Sequence, residues 1–332
     1  MRTMLLAATA LALASPAMAQ DYSWQPDEPI NIIVPWSAGG STDSVTRVLA
    51  GELEAALGQT VVIVNQPGAA GSVGTTNAWE APHDGLTWAA GAAVDLGSYQ
   101  VLGMLDVPAS DWALYLHIAN VAVVGVNPDA GWDSFDDLLA AMEAAPGEVT
   151  VATAGVTSGG HNAMQAIAIA ADVEYRHVTY DGGNPAVLAT VAGETQVTTQ
   201  LASEQAEMIR AGRIIPLAVL ANAPLELEGY GEIPAITDWL PDIQVANNYF
   251  GIWVPADVPA EVIETMDQVW QDVMPGNEAM REYSANRGAF YDPHYGEAAQ
   301  DAARPMIEQN TWMLFESGQA PNNPEDYGIA HP

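Results

Sequence analysis

"VPWSAGGSTD" (residues 34–43) passes from an apolar strand through a glycine pair into a helix start. Upstream, "INIIVPW" (30–36) reads as the strand. Downstream, Val45, Val48, Leu49, Leu53, Ala56 and Leu57 fall at helical spacing until Gly58 ends the helix. "TVVIVNQPG" (60–68) is a second strand halted by Pro67-Gly68, so the stretch sits in a β-α-β unit. With Ser41 or Thr42 as N-cap, the first helical amides have no partner within the helix, and together with the helix dipole they make an anion site. Gly39 and Gly40 let the backbone approach a ligand that any Cβ would obstruct. An ordinary tight turn accounts for this stretch equally well. Asp43 reads as compensation of the helix dipole, with Arg47 as its i,i+4 partner.

The arrangement recurs. "NQPGAAGSVGTTNA" (65–78) carries Gly68, Ala69, Gly71 and Ser72 between a strand and a helix. Its G-x-x-G-x-x-G spacing is not the dinucleotide fingerprint, no acid follows at the ribose distance, and the chain has no lysine for a phosphate loop. "ATAGVTSGGHNAMQAIA" (152–168) brings Thr157, Ser158, Gly159, Gly160 and His161 to a third helix start. "VTYDGGNPAVLATV" (178–191) brings Tyr180, Asp181 and Gly182-Gly183 to a fourth, with Pro185 in the first turn. One such turn is weak evidence. Four, two in each half of the chain, predict opposing sets of amides around one small anion.

Strand-like runs at 85–91, 121–126, 148–155, 173–180, 214–221 and 249–255 alternate with helical patterns, which is the α/β class. Two stretches look like crossings between lobes, "GVNPDAGW" (125–132) and "DIQVANNYFGIWVPADVP" (242–259). The expected organisation is a leader at 1–19, a discontinuous first lobe at 20–124 and 250–332, and a second lobe at 125–249. "MRTMLLAATALALASPAMAQ" has one arginine, a short apolar run and Ala17-Met18-Ala19, the features of a secretory signal peptide cut after Ala19. The run is too short to span a membrane, so no membrane insertion is expected.

The chain carries 42 acids against eight arginines, a formal charge of -34, and no cysteine. That charge argues against nucleic acid and anionic membrane surfaces as partners. It reads as a solvated acidic coat. Without cysteine, neither disulfides nor thiolate chemistry is available. No G-x-S-x-G elbow or H-E-x-x-H pair is present, and the six histidines are scattered. The chain is therefore expected not to be an enzyme, a secreted hydrolase being the weakest alternative, and to need no metal or cofactor.

Residues 29–91, from "PINIIVPWSAGGSTD" to "GLTWAAG", resemble the substrate-binding proteins of tripartite tricarboxylate transporters, the Bug-type family. "PGEVTVATAGVTSGGHNAM", "YDGGNPAVLATVAGE", "IRAGRIIPLAVLA" and "FGIWVPADVP" extend the likeness in collinear order. It implies a periplasmic binding protein of type II, whose two α/β lobes close like a flytrap on a small organic carboxylate. The ligand would be a di- or tricarboxylate or an aromatic carboxylate. The resemblance further implies membrane partners, one large and one small, that take up the ligand. A monomer is expected, and the alternative is a periplasmic sensor that uses the same cleft to signal a kinase. It places one pincer loop at Trp36 to Asp43 and another at Pro67 to Gly74, faced by Ser158, His161, Tyr180, Asp181 and Gly182. Trp36, Gln196 and Tyr249 depart from the family's usual Phe, Asp and Trp, and each bears on ligand size or polarity.

Overall fold

The computed structural model describes residues 22–156 and 158–332. The expected leader and Thr157 lie outside the described residues. In chain order the first elements are β1 (Ile30–Val34), α1 (Ser41–Leu57), β2 (Val61–Asn65), α2 (Ser72–Trp79), β3 (Thr87–Ala92), α3 (Val94–Val101) and β4 (Trp112–Asn120). Then follow β5 (Val123–Val126), α4 (Phe135–Ala144), β6 (Thr150–Thr153), α5 (Gly159–Ala171), β7 (Arg176–Thr179), α6 (Gly183–Val191), β8 (Val197–Thr198), α7 (Ala202–Arg210) and β9 (Ile215–Val219). A hairpin of β10 (Leu225–Leu227) and β11 (Gly231–Ile233) precedes β12 (Asn248–Pro255), α8 (Ala260–Asp272), α9 (Glu278–Arg287), β13 (Phe290–Tyr295) and α10 (Gly296–Glu316).

The strands form two main sheets, one per lobe. The first has the order β13-β4-β12-β3-β1-β2, and the second β7-β6-β8-β5-β9. β1 pairs in parallel with β2 and β3, while β12 runs antiparallel to β3 and β4. In the second sheet β6 is parallel to β7 and β8, and β5 is antiparallel to β8 and β9. Each sheet has helices on both faces. Ile32, Leu49, Trp88 and Met266 fill one side of the first sheet, and Leu96, Trp112, Trp253 and Ile307 the other. Met164, Phe135 and Val151 pack on one side of the second sheet, with Ala206, Ile209 and Val219 on the other. Continuous apolar strands such as "INIIV" suit this environment, because a parallel strand covered on both faces has no wet side.

The chain crosses from one sheet to the other between Asn120 and Val123 and returns before Asn248, where Asn248 pairs with Asn120. Both crossings lie about two residues earlier than the expected boundaries, since β5 starts at Val123 and β12 already holds Asn248 and Tyr249. β4 had no legible pattern of its own. It is flanked by β12 and β13 and buried nearly throughout, so "WALYLHIAN" shows no alternation. The helix at 41–57 ends as expected, with Gly58 in the left-handed region (φ 68°) accepting the C-cap role. The carboxyl ends of parallel β1, β6 and β7 lead into the glycine turns, which brings turns from the two lobes face to face, the usual placement of ligand sites in α/β sheets.

Candidate functional site

A small cavity of about 30 Å³, partly open, lies between the two lobes. From the first lobe it is lined by Trp36, Gly40, Ser41, Thr42, Asp95 and Phe250. From the second come Ser158, Gly159, Gly183, Gln200 and Glu204. Three of the four glycine turns thus meet in one place. A larger groove of about 670 Å³ runs past the crossings along α5 and α10. It shares only Gly159 and Leu201 with the small cavity, and its walls are largely apolar (Ile169, Met306, Met313, Trp312). The converging amides and hydroxyls make the small cavity, and not the more voluminous groove, the candidate site for a charged ligand.

The first turn is braced from within. Gly39, at φ 84°, donates its N–H to Asp43 Oδ2 (2.8 Å), and Asp43 also binds Arg47 (2.8 Å) and Asn65 Nδ2 (3.0 Å). Burial would raise the Asp43 carboxyl, but the bonds from Arg47, Gly39 and Asn65 outweigh it and hold the pKa below the usual value. Asp43 is therefore a brace for the turn and does not line the cavity. Gly40 is extended (φ -74°, ψ 179°) and leaves the Ser41 N–H directed at the second lobe, where it donates to Glu204 Oε1 (3.1 Å). Ser41 Oγ meets Ser203 Oγ (2.8 Å) and accepts from Asn120 Nδ2 (3.2 Å). Ser37 Oγ donates to the Asp181 carbonyl, and Gly182 (φ 130°) packs against Ser37 so closely that an added Cβ would lie 3.1 Å from the serine Cβ. Ala38 is exposed.

The second turn, Gly68 to Ser72, does not line the cavity. Gly71 (φ 96°) lies against Tyr99 and Trp36, where an added Cβ would come within 2.5 Å of Tyr99 Oη and 3.0 Å of the indole. Ser72 Oγ closes back on the Ala69 carbonyl (2.9 Å). The turn still reaches the other lobe, since a Cβ on Gly155 would sit 3.3 Å from Ala70 Cβ. It supports Trp36 from behind, and Trp36 in turn faces the cavity and hydrogen-bonds to Asp95 through its side chain.

In the second lobe Ser158 caps α5, accepting from His161 N–H (3.2 Å) and donating to the Gly155 carbonyl (2.8 Å). The His161 ring turns away from the cavity, with Nε2 3.0 Å from Gln319 Oε1 and the ring against His177. Burial lowers its pKa, so the imidazole is neutral at pH 7. Tyr180 points its hydroxyl at Glu194 Oε2 (3.3 Å) and not inward. Of the three departures from the family pattern, only Trp36 touches the cavity. Gln196 accepts from Thr150 N–H (3.0 Å), and Tyr249 donates to Asp292 Oδ2 (2.6 Å).

Two lining acids, Asp95 and Glu204, escaped the sequence reading. Asp95 is 1% exposed, accepts from Ala92 N–H and Trp36, and leaves Oδ2 without a hydrogen-bond partner. Burial pushes its pKa well above the usual carboxylate range. The Glu204 pKa is pushed up to about 7 by burial, against the lowering effect of the Ser41 and Leu201 N–H groups. A lone acid in the apolar run "AAVDLG" was a local signal for Asp95. Glu204 reads locally as the third residue of a helix start and does cap α7 through Leu201 N–H (3.3 Å). No group of three or more potential metal ligands occurs among the described residues.

Residues 45–312 match the family model described as the tripartite tricarboxylate transporter family receptor, TctC. The chain belongs to this family. A relative from Pseudomonas sp. (strain P51), "UPF0065 protein in tcbD-tcbE intergenic region", is 31% identical over 274 residues, covering 80% of each chain. Among solved structures, the periplasmic binding protein BugD is similar at TM-score 0.79 and 20% identity, over 89% of this chain and 99% of BugD. R. palustris Rpa4515 with adipate gives TM-score 0.77 at 23% identity, over 89% and 99%. MatC from Rhodopseudomonas palustris with bound malate gives 0.74 at 20%, over 87% and 98%. These structures establish the shared fold, that of two-lobed α/β periplasmic binding proteins. TctC and Bug proteins are periplasmic solute-binding proteins, and no helix among the described residues is long and apolar enough to cross a membrane.

Proposed function

We propose that this TctC-family protein is a periplasmic receptor that captures a small organic carboxylate between its lobes and delivers it to a tripartite membrane transporter. The leader at 1–19 would direct export, and the mature chain would act as a monomer without catalysis. One observation carries the reading. The first-turn amides of α1 and the starts of α5 and α6 converge on one interlobe cavity, and a carboxylate of the chain itself, Glu204, is already held there by the Ser41 N–H. Amides that hold one carboxylate can hold another. Gly40, Ser41 and Thr42 on one side, with Ser158, Gly182 and Gly183 on the other, form the proposed ligand shell.

A cavity of about 30 Å³ matches the share of a single water, so a ligand of four to six carbons enters only when the lobes part and re-close around it. Each charge-assisted hydrogen bond contributes roughly 1.5–3 kcal/mol. Five or six offset the cost of closure and immobilisation, leaving micromolar affinity within reach. The acidic surface does not oppose capture strongly, because charges farther than about 8 Å are screened at physiological salt. The adipate and malate bound by similar proteins support a dicarboxylate of this size.

Titration of the intrinsic fluorescence of the ten tryptophans with citrate, C4–C6 dicarboxylates, malonate, benzoate and phthalate tests the proposal. A saturable change for at least one ligand is expected. It should come with a rise in Tm, since ligand at about 100 times Kd stabilises by ~2.7 kcal/mol. Silence in both assays across the whole panel would refute it.

A further inference from the structure

The Glu204 carboxyl sits where three helix starts meet. Oε1 accepts from the Ser41 N–H of α1 across the lobes (3.1 Å), and Oε2 accepts from the Leu201 N–H at the start of its own helix (3.3 Å). Gln200, with its amide oriented to accept from Ala154 N–H (2.8 Å), donates to the same Oε2 (2.8 Å). The carboxyl also lies directly on Gly183, the first residue of α6, where an added Cβ would fall 2.0 Å from Oε1. Independently, Asp95 lines the same cavity with Oδ2 unpartnered and the side chain buried.

We infer that Glu204 makes capture proton-coupled: the site takes a carboxylate anion together with one proton, which resides on Glu204. This rests on the carboxylate reading above. Two carboxylates competing for the same amides in one small cavity cannot both stay ionised cheaply, and no arginine or histidine lines that cavity among the described residues. A protonated Glu204 instead offers an O–H donor to the incoming anion. The groups facing it favour this outcome. Burial pushes the Asp95 carboxyl on α3 well above the usual carboxylate range, and Arg47, Gly39 and Asn65 hold Asp43 on α1 below it. α9 contributes Tyr283, whose hydroxyl is raised by burial and is neutral, and Arg287, which donates to the Ser203 carbonyl (3.4 Å). α5 and α6 present only Ser158, Gly159 and Gly183 to the cavity. In the free protein burial already pushes the Glu204 carboxyl up to about 7, and an arriving anion would raise it further.

Two measurements on the wild type and Glu204→Gln test this. Without ligand, the folded pKa lies above the unfolded value, so the stabilising effect of protonation is present below about pH 4.5 and lost as pH rises through about 7. Glu204→Gln should therefore melt above the wild type at pH 8, with the gap closing by pH 5. With a bound dicarboxylate or citrate, the wild-type Kd should rise towards tenfold per pH unit above pH 7, while Glu204→Gln changes less than twofold. A wild-type Kd independent of pH, or an equal slope in Glu204→Gln, would overturn the proposal. So would the absence of any pH-dependent Tm gap, whatever binds. If the gap is present but neither protein binds any carboxylate, the receptor reading fails and coupled capture falls with it, leaving Glu204 as a proton-holding group only.

Discussion

Ser41 Oγ lies 2.8 Å from Ser203 Oγ, so a hydroxyl pair joins α1 of the first lobe to α7 of the second. Asn120, at the crossing between lobes, donates to the same Ser41 oxygen (3.2 Å). The first pincer turn is thereby tied both to the opposite lobe and to the connection between them, and it cannot move on closure without registering on each.

Ser41→Ala removes both of those bonds while leaving the backbone amide, so it should loosen closure and weaken ligand affinity about tenfold. Ser158→Ala removes the cap of α5, a loss of about 1 kcal/mol, and should weaken binding about fivefold with a small drop in Tm. Isothermal titration and thermal unfolding of both variants check this. Wild-type affinity in each would mean that the ligand sits elsewhere.

Glycines in the site differ sharply in tolerance. A Cβ on Gly40 would sit 3.5 Å from the Ser37 carbonyl and 3.6 Å from Glu204 Oε1, both ordinary contacts, so Gly40→Ala should bind within about threefold of wild type. The branched side chain of Gly40→Val fills the cavity mouth and should weaken binding more than tenfold. Gly183→Ala places a methyl 2.0 Å from Glu204 Oε1 within the second lobe, so that carboxyl must swing away and give up its bond from the Ser41 N–H. A drop in Tm, with binding weakened more than tenfold, is the expected result. Equal behaviour of the two alanine variants would contradict the geometry.

Asp95→Asn keeps the shape and removes the ionisation. Burial raises the folded pKa of Asp95 above its unfolded value, so its contribution is present at low pH and lost as pH rises through the folded pKa. The asparagine variant should gain Tm relative to wild type as pH goes from 4 to 8. A constant difference over that range would show that Asp95 is not held neutral.

His117, on β4, is fully buried with neither ring nitrogen hydrogen-bonded, and burial lowers its pKa to about 3. Stability tied to its neutral form is present above pH 6.5 and declines as pH falls towards 3. His117→Asn should flatten that acid limb, so that the Tm difference from wild type narrows or reverses between pH 7 and pH 4. Parallel melting curves would assign the acid limb to other groups.

The glycine turns were legible because their signal is local. Gly40 followed by Ser41, or Ser158 ahead of Gly159-Gly160, announces a helix start within a few residues, and the alternation of apolar runs with helical spacing announces α/β layers. The second turn shows where such a signal stops. Gly68 to Ser72 has the expected build, yet it packs behind Trp36 instead of facing the cavity, because Gly71 must leave room for Tyr99 and the indole. His161 and Tyr180 stand at the right turns, but their side chains are drawn to Gln319 and Glu194.

By itself the sequence determined the α/β organisation and the exposed amides at the helix starts, which follow from short-range pattern, and the family, which follows from collinear resemblance along the chain. Only the tertiary structure decided which turns share a cavity, and that Glu204 reaches Ser41 across 163 positions of chain. The reason is that backbone conformation is set mainly by neighbours in sequence, whereas the charge and protonation of a buried acid are set by whatever the fold brings within a few ångströms of it.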